Sequence, residues 1–173
     1  MGIDIRILQP QDKREKFESG DGEIDYFFRV FAGQNQFRHY IGTTYVAIDN
    51  GEIVGYANVS TGSMHGGDTS DLQLQKLPRY PLPILRINRL GVAKQWQDKG
   101  IGSVLVAYMF RLALKQREQF GCVGVMVDAK KSAVGFYEKL GFVQVDISKG
   151  AVKHYPEQTS MFVAIQTIEK ALQ

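Results

Sequence analysis

Residues 89–106 read RLGVAKQWQDKGIGSVLV and combine a β-rich run, two closely spaced glycines and the start of a long apolar run. Gly100 and Gly102 stand directly before an apolar-periodic run, which predicts a strand, a glycine-rich turn and a helix that reaches Phe120. Backbone N–H groups at the start of that helix have no earlier partner in the chain, and the helix dipole adds positive potential at the same point. The stretch therefore predicts a place where a phosphate or pyrophosphate group binds.

A simple tight connection between a strand and a helix also explains two glycines spaced by one residue. The chain excludes two other phosphate motifs, because no Gly-Lys-Ser/Thr follows and the third position of a dinucleotide fingerprint is Leu105. The residues alone leave both alternatives open, and for two glycines without further context the plain connection is the favoured interpretation.

The rest of the chain alternates between strand and helix patterns, which predicts a mixed α/β structure. The clearest local signal is Asn50-Gly51 between two β-rich runs, a pair that favours a tight hairpin. A helix is predicted from Asp21, a candidate N-cap, to Gly33, a candidate end. Further strands are predicted over 3–8, 84–93, 122–129, 142–147 and 159–165. Further helices are predicted over 130–140, which Gly141 ends, and over 166–173. Loops are predicted over 61–71 and 148–157.

The composition is that of an ordinary globular protein. With 173 residues, 44% of them hydrophobic and 23% charged, the chain is expected to form a single domain over residues 1–173. It contains no run of about 18 apolar residues and no visible secretory signal, so no membrane association is expected. The single cysteine, Cys122, cannot form an internal disulfide and favours a reducing cytoplasm. A net charge of +3 suits an anionic ligand but does not by itself indicate nucleic-acid binding.

Two motifs together resemble the GNAT acyltransferase superfamily. Gln97, Gly100 and Gly102 fill the fixed positions of its acetyl-coenzyme A signature, Gln/Arg-x-x-Gly-x-Gly/Ala. About forty residues later, AVGFYEKLGF resembles the second hallmark, a short helix with Phe-Tyr-Glu-Lys that ends in Gly-Phe. The resemblance implies a mixed α/β GNAT fold, in which about four helices flank a mostly antiparallel, twisted sheet of six to seven strands that is splayed at the cofactor strand.

The resemblance also implies which residues bind acetyl-coenzyme A (acetyl-CoA), the cosubstrate. The strand before the signature binds the pantetheine arm through its backbone, and a bulge near Leu90–Gly91 would open the slot. Lys130 stands where the family often has a cofactor-binding asparagine, so that contact is lost or replaced. Lys130 is a candidate cofactor contact that reaches toward a phosphate, with a side chain that faces water as the alternative. The implied backbone contacts are Leu90, Gly91 and Val92 for pantetheine, and Gln97, Asp98, Lys99, Gly100, Ile101, Gly102 and Ser103 for the pyrophosphate.

Tyr137 is the residue to which the resemblance assigns chemistry. In the family this tyrosine protonates the departing coenzyme A thiolate, and a phenol of pKa about 10 is protonated at neutral pH. Without the motif, Tyr137 would be interpreted as a core aromatic beside Phe136. Asp128 binds substrate or, as the favoured interpretation, caps the next helix. No protein base, nucleophile or metal site is predicted, because His39, His65 and His154 are scattered and Cys122 lies in an apolar strand.

Other stretches resemble a narrower group, the GNAT toxins of bacterial toxin–antitoxin pairs that acetylate the amino acid on charged tRNA. Ser19-Gly20, Gln34-Asn35, Tyr80-Pro81-Leu82-Pro83 and Ala129-Lys130 match its features, whereas Ser19 replaces a frequent cysteine and Gly91 a usual alanine. This resemblance implies an amine acceptor on tRNA, an antitoxin partner and a homodimer. Candidate phosphate contacts are Arg29, Arg38, Arg79, Arg86 and Arg89.

Two other functions remain open at this point. One is a stand-alone N-acetyltransferase that acts on a small amine or a peptide. The other is a non-catalytic sensor that binds acyl-coenzyme A, because a fold does not determine function.

Overall fold

The computed structural model describes residues 2–65, 76–78, 81–145 and 158–173. Within them, seven strands form one open sheet in the order β1-β2-β3-β4-β5-β7-β6, and all four strand pairs with an assigned register are antiparallel. If the helical turns between residues 22 and 39 count as one segment, four helices accompany the sheet. The predicted mixed α/β fold is confirmed. The elements are β1 (Asp4–Ile7), α1 (Gly22–Tyr26), α2 (Ala32–Gln34), β2 (Thr43–Asp49), β3 (Glu52–His65), β4 (Pro81–Val92), α3 (Ile101–Phe120), β5 (Gly124–Lys130), α4 (Val134–Lys139), β6 (Val143–Gln144), β7 (Gln158–Ala164) and α5 (Ile165–Ala171).

The contacts within the chain group its residues into two compact units. Unit 1 comprises residues 1–60 and 87–109, and unit 2 comprises residues 61–86 and 110–173. The single domain over residues 1–173 stays a prediction.

Unit 1 is built on the predicted hairpin. Asn50 and Gly51 have φ values of 47° and 79°, the left-handed pair that a tight two-residue turn requires. The turn joins β2 to β3, and β2 also pairs with β1. Tyr56 is fully buried on this sheet, stacks on Phe28 with ring centroids 4.4 Å apart, and donates from its hydroxyl to the Ile24 carbonyl (2.7 Å). The helical segment is therefore fixed to the sheet by aromatic packing and one buried hydrogen bond.

The helical segment begins as predicted but ends later. The Asp21 carboxylate caps α1 by accepting from the N–H groups of Glu23 (3.0 Å) and Ile24 (3.3 Å). Gly33 does not end the helix, because α1, a π-helical turn, α2 and a second π-helical turn continue to His39. A Cβ at Gly33 would lie 2.6 Å from the guanidinium of Arg14, so this glycine makes room for a side chain.

Unit 2 contains β5, β6, β7, α4 and α5. β7 pairs with β5 on one side and with β6 on the other, and Phe162 of β7 is fully buried in the core cluster. Gly121 (φ 99°) ends α3 as predicted, since its N–H donates to the Gln116 carbonyl (2.9 Å). The core cluster consists of Met64, Leu82, Ile84, Met126, Val145, Phe162 and Ala164.

The structure describes only residues 61–65 of the two loops predicted over 61–71 and 148–157. The loop predicted over 61–71 is wrong for its first residues, because β3 continues to His65. Gly62 lies close to β4 in this stretch, since a Cβ there would lie 3.3 Å from Ile84 and 3.5 Å from Arg86. The rest of that loop and the loop predicted over 148–157 lie outside the described residues.

The helices that the structure describes include none with the length and apolar character needed to cross a membrane.

Candidate active site

The predicted phosphate loop adopts a backbone conformation suited to anion binding. β4 ends at Val92, a 3-10 turn spans Lys94–Trp96, and α3 begins at Ile101. Between them, Asp98 (φ 61°) and Gly100 (φ 85°) are both left-handed. When residues with positive and negative φ alternate, successive backbone N–H groups turn toward one side. The N-terminus of the 20-residue helix α3 adds positive potential at the same place. Asp98 carries a strained conformation for a residue with a side chain, as residues at binding sites often do.

Lys99 and Trp96 flank this loop on the surface. The Lys99 ammonium lies over the Trp96 ring, 5.2 Å from its centroid, and Lys99 is exposed. A cation held over an aromatic face stays available to a neighbouring anion. Trp96 therefore contributes to the loop by holding Lys99 rather than by being buried under it.

Gln97 has a defined position that the signature alone does not predict. Its side-chain amide donates to the carbonyls of Ser19 (2.6 Å) and Val92 (2.9 Å), and its backbone N–H faces the Lys94 carbonyl at 3.4 Å. Gln97 is thus tied to the protein through its side chain. The only sequence signal for this contact was Ser19-Gly20, a feature of the toxin resemblance.

The predicted pantetheine strand lies at the end of β4. Gly91 is buried, and Leu90 and Val92 are half-buried. A Cβ at Gly91 would lie 2.5 Å from Ile24 Cγ2 and 3.0 Å from Tyr56 Cε1. The glycine that departs from the alanine of the toxins is therefore needed for the close packing of α1 against this strand.

Gly91→Ala is expected to destabilise the protein by about 1–3 kcal/mol, because the added methyl group forces Ile24 or the buried Tyr56 ring to move. Urea unfolding measures the loss. The matched control is Gly135→Ala, where nothing lies within 4 Å of the added Cβ in a helix. Ile24→Ala removes the closest atom, so the Gly91→Ala penalty should shrink in that background; an unchanged penalty would contradict the packing explanation.

The irregularity in β4 lies earlier than predicted. Asn88 Nδ2 donates to Asn58 Oδ1 and Ser60 Oγ, both at 3.0 Å, and so reaches the face of β3 that carries Tyr56. The Arg89 guanidinium lies over the Phe27 ring on the same face, at 5.2 Å from its centroid. Neighbouring residues of a regular strand point to opposite faces, so the alternation breaks at Asn88–Arg89 rather than at Leu90–Gly91.

Tyr137 lies in unit 2, on α4. Its side chain is 4% exposed and packs edge-on against Phe136 and Phe142, with ring centroids 5.0 and 5.2 Å away. Burial raises the pKa of Tyr137 above its usual range, so the phenol is protonated at any physiological pH. Among the described residues the hydroxyl has no hydrogen-bond partner. Tyr137 is thus both a core aromatic and a phenol with an uncommitted proton.

Two polar residues of β5 differ from their predicted surroundings. Asp128 does not cap a helix: it lies within β5, where its carboxylate accepts from Ser160 Oγ (2.7 Å) and pairs with Arg86 (3.3 Å). That prediction is wrong because the partners come from distant strands. Lys130 is the last residue of β5 and is half-buried, and its predicted contact with the cofactor stays a prediction.

The remaining candidates stay outside any described reactive cluster. His39 and His65 are exposed at the ends of their elements, and His154 lies outside the described residues. Cys122 is buried, its thiol faces the Gly124 carbonyl (3.3 Å), and burial raises its pKa, all of which suits a core residue. The described residues contain no group of side chains that could hold a metal ion.

Most of the five candidate phosphate-binding arginines already have partners within the protein. Arg29 donates to the Phe17 carbonyl, Arg86 pairs with Asp128, and Arg89 lies 3.7 Å from the Glu23 carboxylate. Arg38 is exposed, and Arg79 lies outside the described residues. Of these five, Arg38 is therefore the exposed arginine whose side chain the described hydrogen bonds and ion pairs do not engage.

A separate cavity of about 300 Å³ lies beside the loop in unit 1. Lys13, Lys16 and Lys94 line it, but Glu18 and Glu52 line it too, and Lys94 pairs with Glu18 at 3.4 Å. The carboxylates offset much of the positive charge, so the cavity is not a strong anion site.

Comparison with curated proteins finds a relative that shares most of its length with this chain. A tRNA-acetylating toxin from Mycobacterium tuberculosis (strain ATCC 25618 / H37Rv) is 26% identical over 140 residues, which cover 79% of this chain and 82% of the relative.

Comparison with solved structures finds bacterial toxins. A structure described as a bacterial toxin matches with a TM-score of 0.86 and 27% identity, covering 98% of this chain and 94% of its own. AtaT complexed with acetyl-methionyl-tRNAfMet matches with a TM-score of 0.84 and 21% identity, covering 99% and 100% of the two chains. AtaT bound to the C-terminus of the antitoxin AtaR matches with a TM-score of 0.79 and 19% identity, covering 100% of this chain and 98% of its own. AtaTR bound with acetyl-CoA matches with a TM-score of 0.80 and 21% identity, covering 99% and 98% of the two chains. At these identities the AtaT matches establish the fold alone.

A family model described as an acetyltransferase (GNAT) domain matches residues 41–144, which include the hairpin, β4, the loop, α3 and the tyrosine helix. The match spans more than half of the chain and contains both predicted hallmarks. The chain therefore belongs to the GNAT acetyltransferase family.

Proposed function

We propose that this protein transfers the acetyl group of acetyl-CoA to the α-amine of an aminoacyl-tRNA, in the cytoplasm. The observation that supports acetyl-CoA binding is the loop before α3, in which Asp98 and Gly100 have left-handed backbone conformations. The acceptor half is supported by the similarity to a tRNA-acetylating toxin across 79% of the chain. The proposed reaction uses no metal ion.

Acetyl-CoA would be held by main-chain groups in unit 1. The N–H groups of residues 98–103 bind the pyrophosphate, and the β4 backbone at Leu90 and Gly91 binds the amides of pantetheine. The N–H of Val92 polarises the thioester carbonyl, where negative charge develops during attack. When bound, the cosubstrate supplies the activated acetyl group, and the chain supplies position and hydrogen bonds.

The reaction is then a direct acyl transfer. A neutral amine attacks the thioester carbonyl, the new C–N bond forms, and the amine loses its extra proton to water. The C–S bond breaks, and Tyr137 donates its phenolic proton to the leaving thiolate. The Tyr137 phenolate recovers a proton from solvent before the next turnover.

An aminoacyl ester suits a site without a protein base. A free α-amino group has a pKa of about 7.7–8.0 and lysine one of about 10.4, so the α-amine is far more often neutral near pH 7. The tRNA phosphates require cationic contacts, for which exposed Arg38 is the described candidate among the arginines. The proposal also includes an antitoxin partner, which the similarity to AtaT bound to its antitoxin AtaR supports, and a homodimer.

The deciding experiment incubates the purified protein with labelled acetyl-CoA and, in separate reactions, total charged tRNA, uncharged tRNA, small amines and peptides. We expect label only on charged tRNA, released with the amino acid by mild base, and transfer that falls steeply with salt because phosphate contacts release counterions. Label on a small amine or peptide alone would replace the tRNA acceptor. Cofactor binding without transfer to any acceptor would indicate a sensor.

A further inference from the structure

The loop before α1 contacts the phosphate loop of the same unit through one side chain. Gln97 Nε2 donates to the Ser19 carbonyl at 2.6 Å and to the Val92 carbonyl at 2.9 Å. Both amide hydrogens are thereby used, and they join two chain segments: the loop before α1 and the end of β4. Gln97 is otherwise exposed, so this pair of bonds is its principal attachment.

Ser19 is itself held in one orientation by a buried carboxylate. Its backbone N–H and its hydroxyl both donate to Asp25 Oδ1, at 2.9 and 2.7 Å, and its hydroxyl oxygen accepts from the Asp21 N–H at 3.1 Å. Asp25 is only 5% exposed, and a carboxylate at that depth requires hydrogen-bond donors. The direction of the Ser19 carbonyl is consequently set from within the protein.

The residue after Gln97 shows why such an attachment matters. Asp98 has φ 61°, a conformation that costs a residue with a side chain about 1 kcal/mol or more. The Gln97 backbone offers little restraint, because its N–H lies 3.4 Å from the Lys94 carbonyl. The two side-chain bonds of Gln97, at 2.6 and 2.9 Å, are therefore the shorter restraints on the residue that precedes the strained turn.

We propose that Asp25, Ser19 and Gln97 form a positioning relay that holds residues 98–103 in the conformation that binds the pyrophosphate of coenzyme A. This inference rests on the proposed function, since it assumes that acetyl-CoA binds at this loop. Gln97 is a positioning residue: its side chain points to protein carbonyls, and its effect reaches the cofactor through the backbone of the loop.

The test measures acetyl-CoA affinity by titration calorimetry. Gln97→Ala should raise the Kd about tenfold, the effect of losing roughly one to two net hydrogen bonds, and the KM for acetyl-CoA should rise by a larger factor than kcat falls. Ser19→Ala should raise the Kd less, in the same direction, because the carbonyl remains but loses its orientation. In the double variant the two effects should be less than additive. The matched control is Gln95→Ala, an exposed glutamine two positions away, which should leave the Kd unchanged.

A truncated donor separates the relay from a general packing defect. S-acetylpantetheine lacks the pyrophosphate, so Gln97→Ala should lower its kcat/KM far less than it lowers that of acetyl-CoA; any small loss reflects the bond from Gln97 to the Val92 carbonyl. A fall of equal size for both donors would overturn the relay and make Gln97 a structural residue.

The two levels of the proposal fail differently. Wild-type protein that does not bind acetyl-CoA would overturn the proposed function and the relay together. Wild-type protein that binds acetyl-CoA, with Gln97→Ala of equal affinity, would overturn the relay alone.

Discussion

Tyr137→Phe is expected to lower kcat by about 10²–10⁴-fold and to leave the Kd for acetyl-CoA unchanged. Loss of a general acid has an effect of this size, because the thiolate must then leave without a proton or take one from water. The substitution removes only the hydroxyl oxygen. The ring keeps its edge-on packing against Phe136 and Phe142, so the fold of unit 2 should be preserved.

The matched control for this variant is Tyr108→Phe. Tyr108 is a half-buried tyrosine of α3 whose ring lies 5.3 Å from that of Tyr45, and the proposal gives its hydroxyl no role in the reaction. Its kcat should equal that of wild type. Single-turnover rates and thermal unfolding complete the comparison: Tyr137→Phe should react slowly yet melt within a few degrees of wild type. Wild-type kcat in Tyr137→Phe would remove the tyrosine from the mechanism.

Features that depend on neighbouring residues could be predicted from the sequence. The Asn50-Gly51 hairpin, the Asp21 cap and the Gly121 end of α3 all rest on backbone conformations that one or two residues specify. The loop at Gly100 belongs to the same class, because a left-handed glycine at the start of an apolar-periodic helix is a local signal.

Features that depend on residues distant in the sequence could not be predicted from the sequence. Asp128 was predicted to cap a helix because a carboxylate before a helix usually does, yet Arg86 and Ser160 hold it within β5. Gly33 was predicted to end a helix, yet it makes room for Arg14. Each partner comes from a segment that only the folded chain brings near, so local propensity favoured the wrong alternative.

The candidate active site also combines features that local sequence predicts with contacts between distant residues that it does not. The left-handed turn at Gly100 follows from its glycine, but the left-handed Asp98 does not, and the attachment of Gln97 to Ser19 joins residues 78 positions apart. The motif identified Gln97 as important without indicating that its side chain contacts protein. Tyr137 was recognised from the family motif, and the structure adds the burial that keeps its phenol protonated.

Gly100→Asp is expected to weaken acetyl-CoA binding by about 100-fold or more. The new carboxylate would stand beside the proposed pyrophosphate, where like charges about 4 Å apart repel by roughly 1–4 kcal/mol at effective dielectric constants between 80 and 20. The left-handed φ of 85° adds conformational cost for any residue with a side chain. No atom lies within 4 Å of the added Cβ, so the variant should fold.

Gly51→Asp separates these two contributions. Gly51 is also left-handed (φ 79°), also has nothing within 4 Å of an added Cβ, and lies in the hairpin turn. Both variants should lose similar thermal stability through backbone strain, but only Gly100→Asp should lose acetyl-CoA affinity. The affinity of Gly100→Asp should also recover partly at high salt, because screening weakens the repulsion. If Gly100→Asp binds acetyl-CoA like wild type, the pyrophosphate does not bind at this loop. If Gly51→Asp weakens binding equally, the loss reflects stability, and the loop loses its special role.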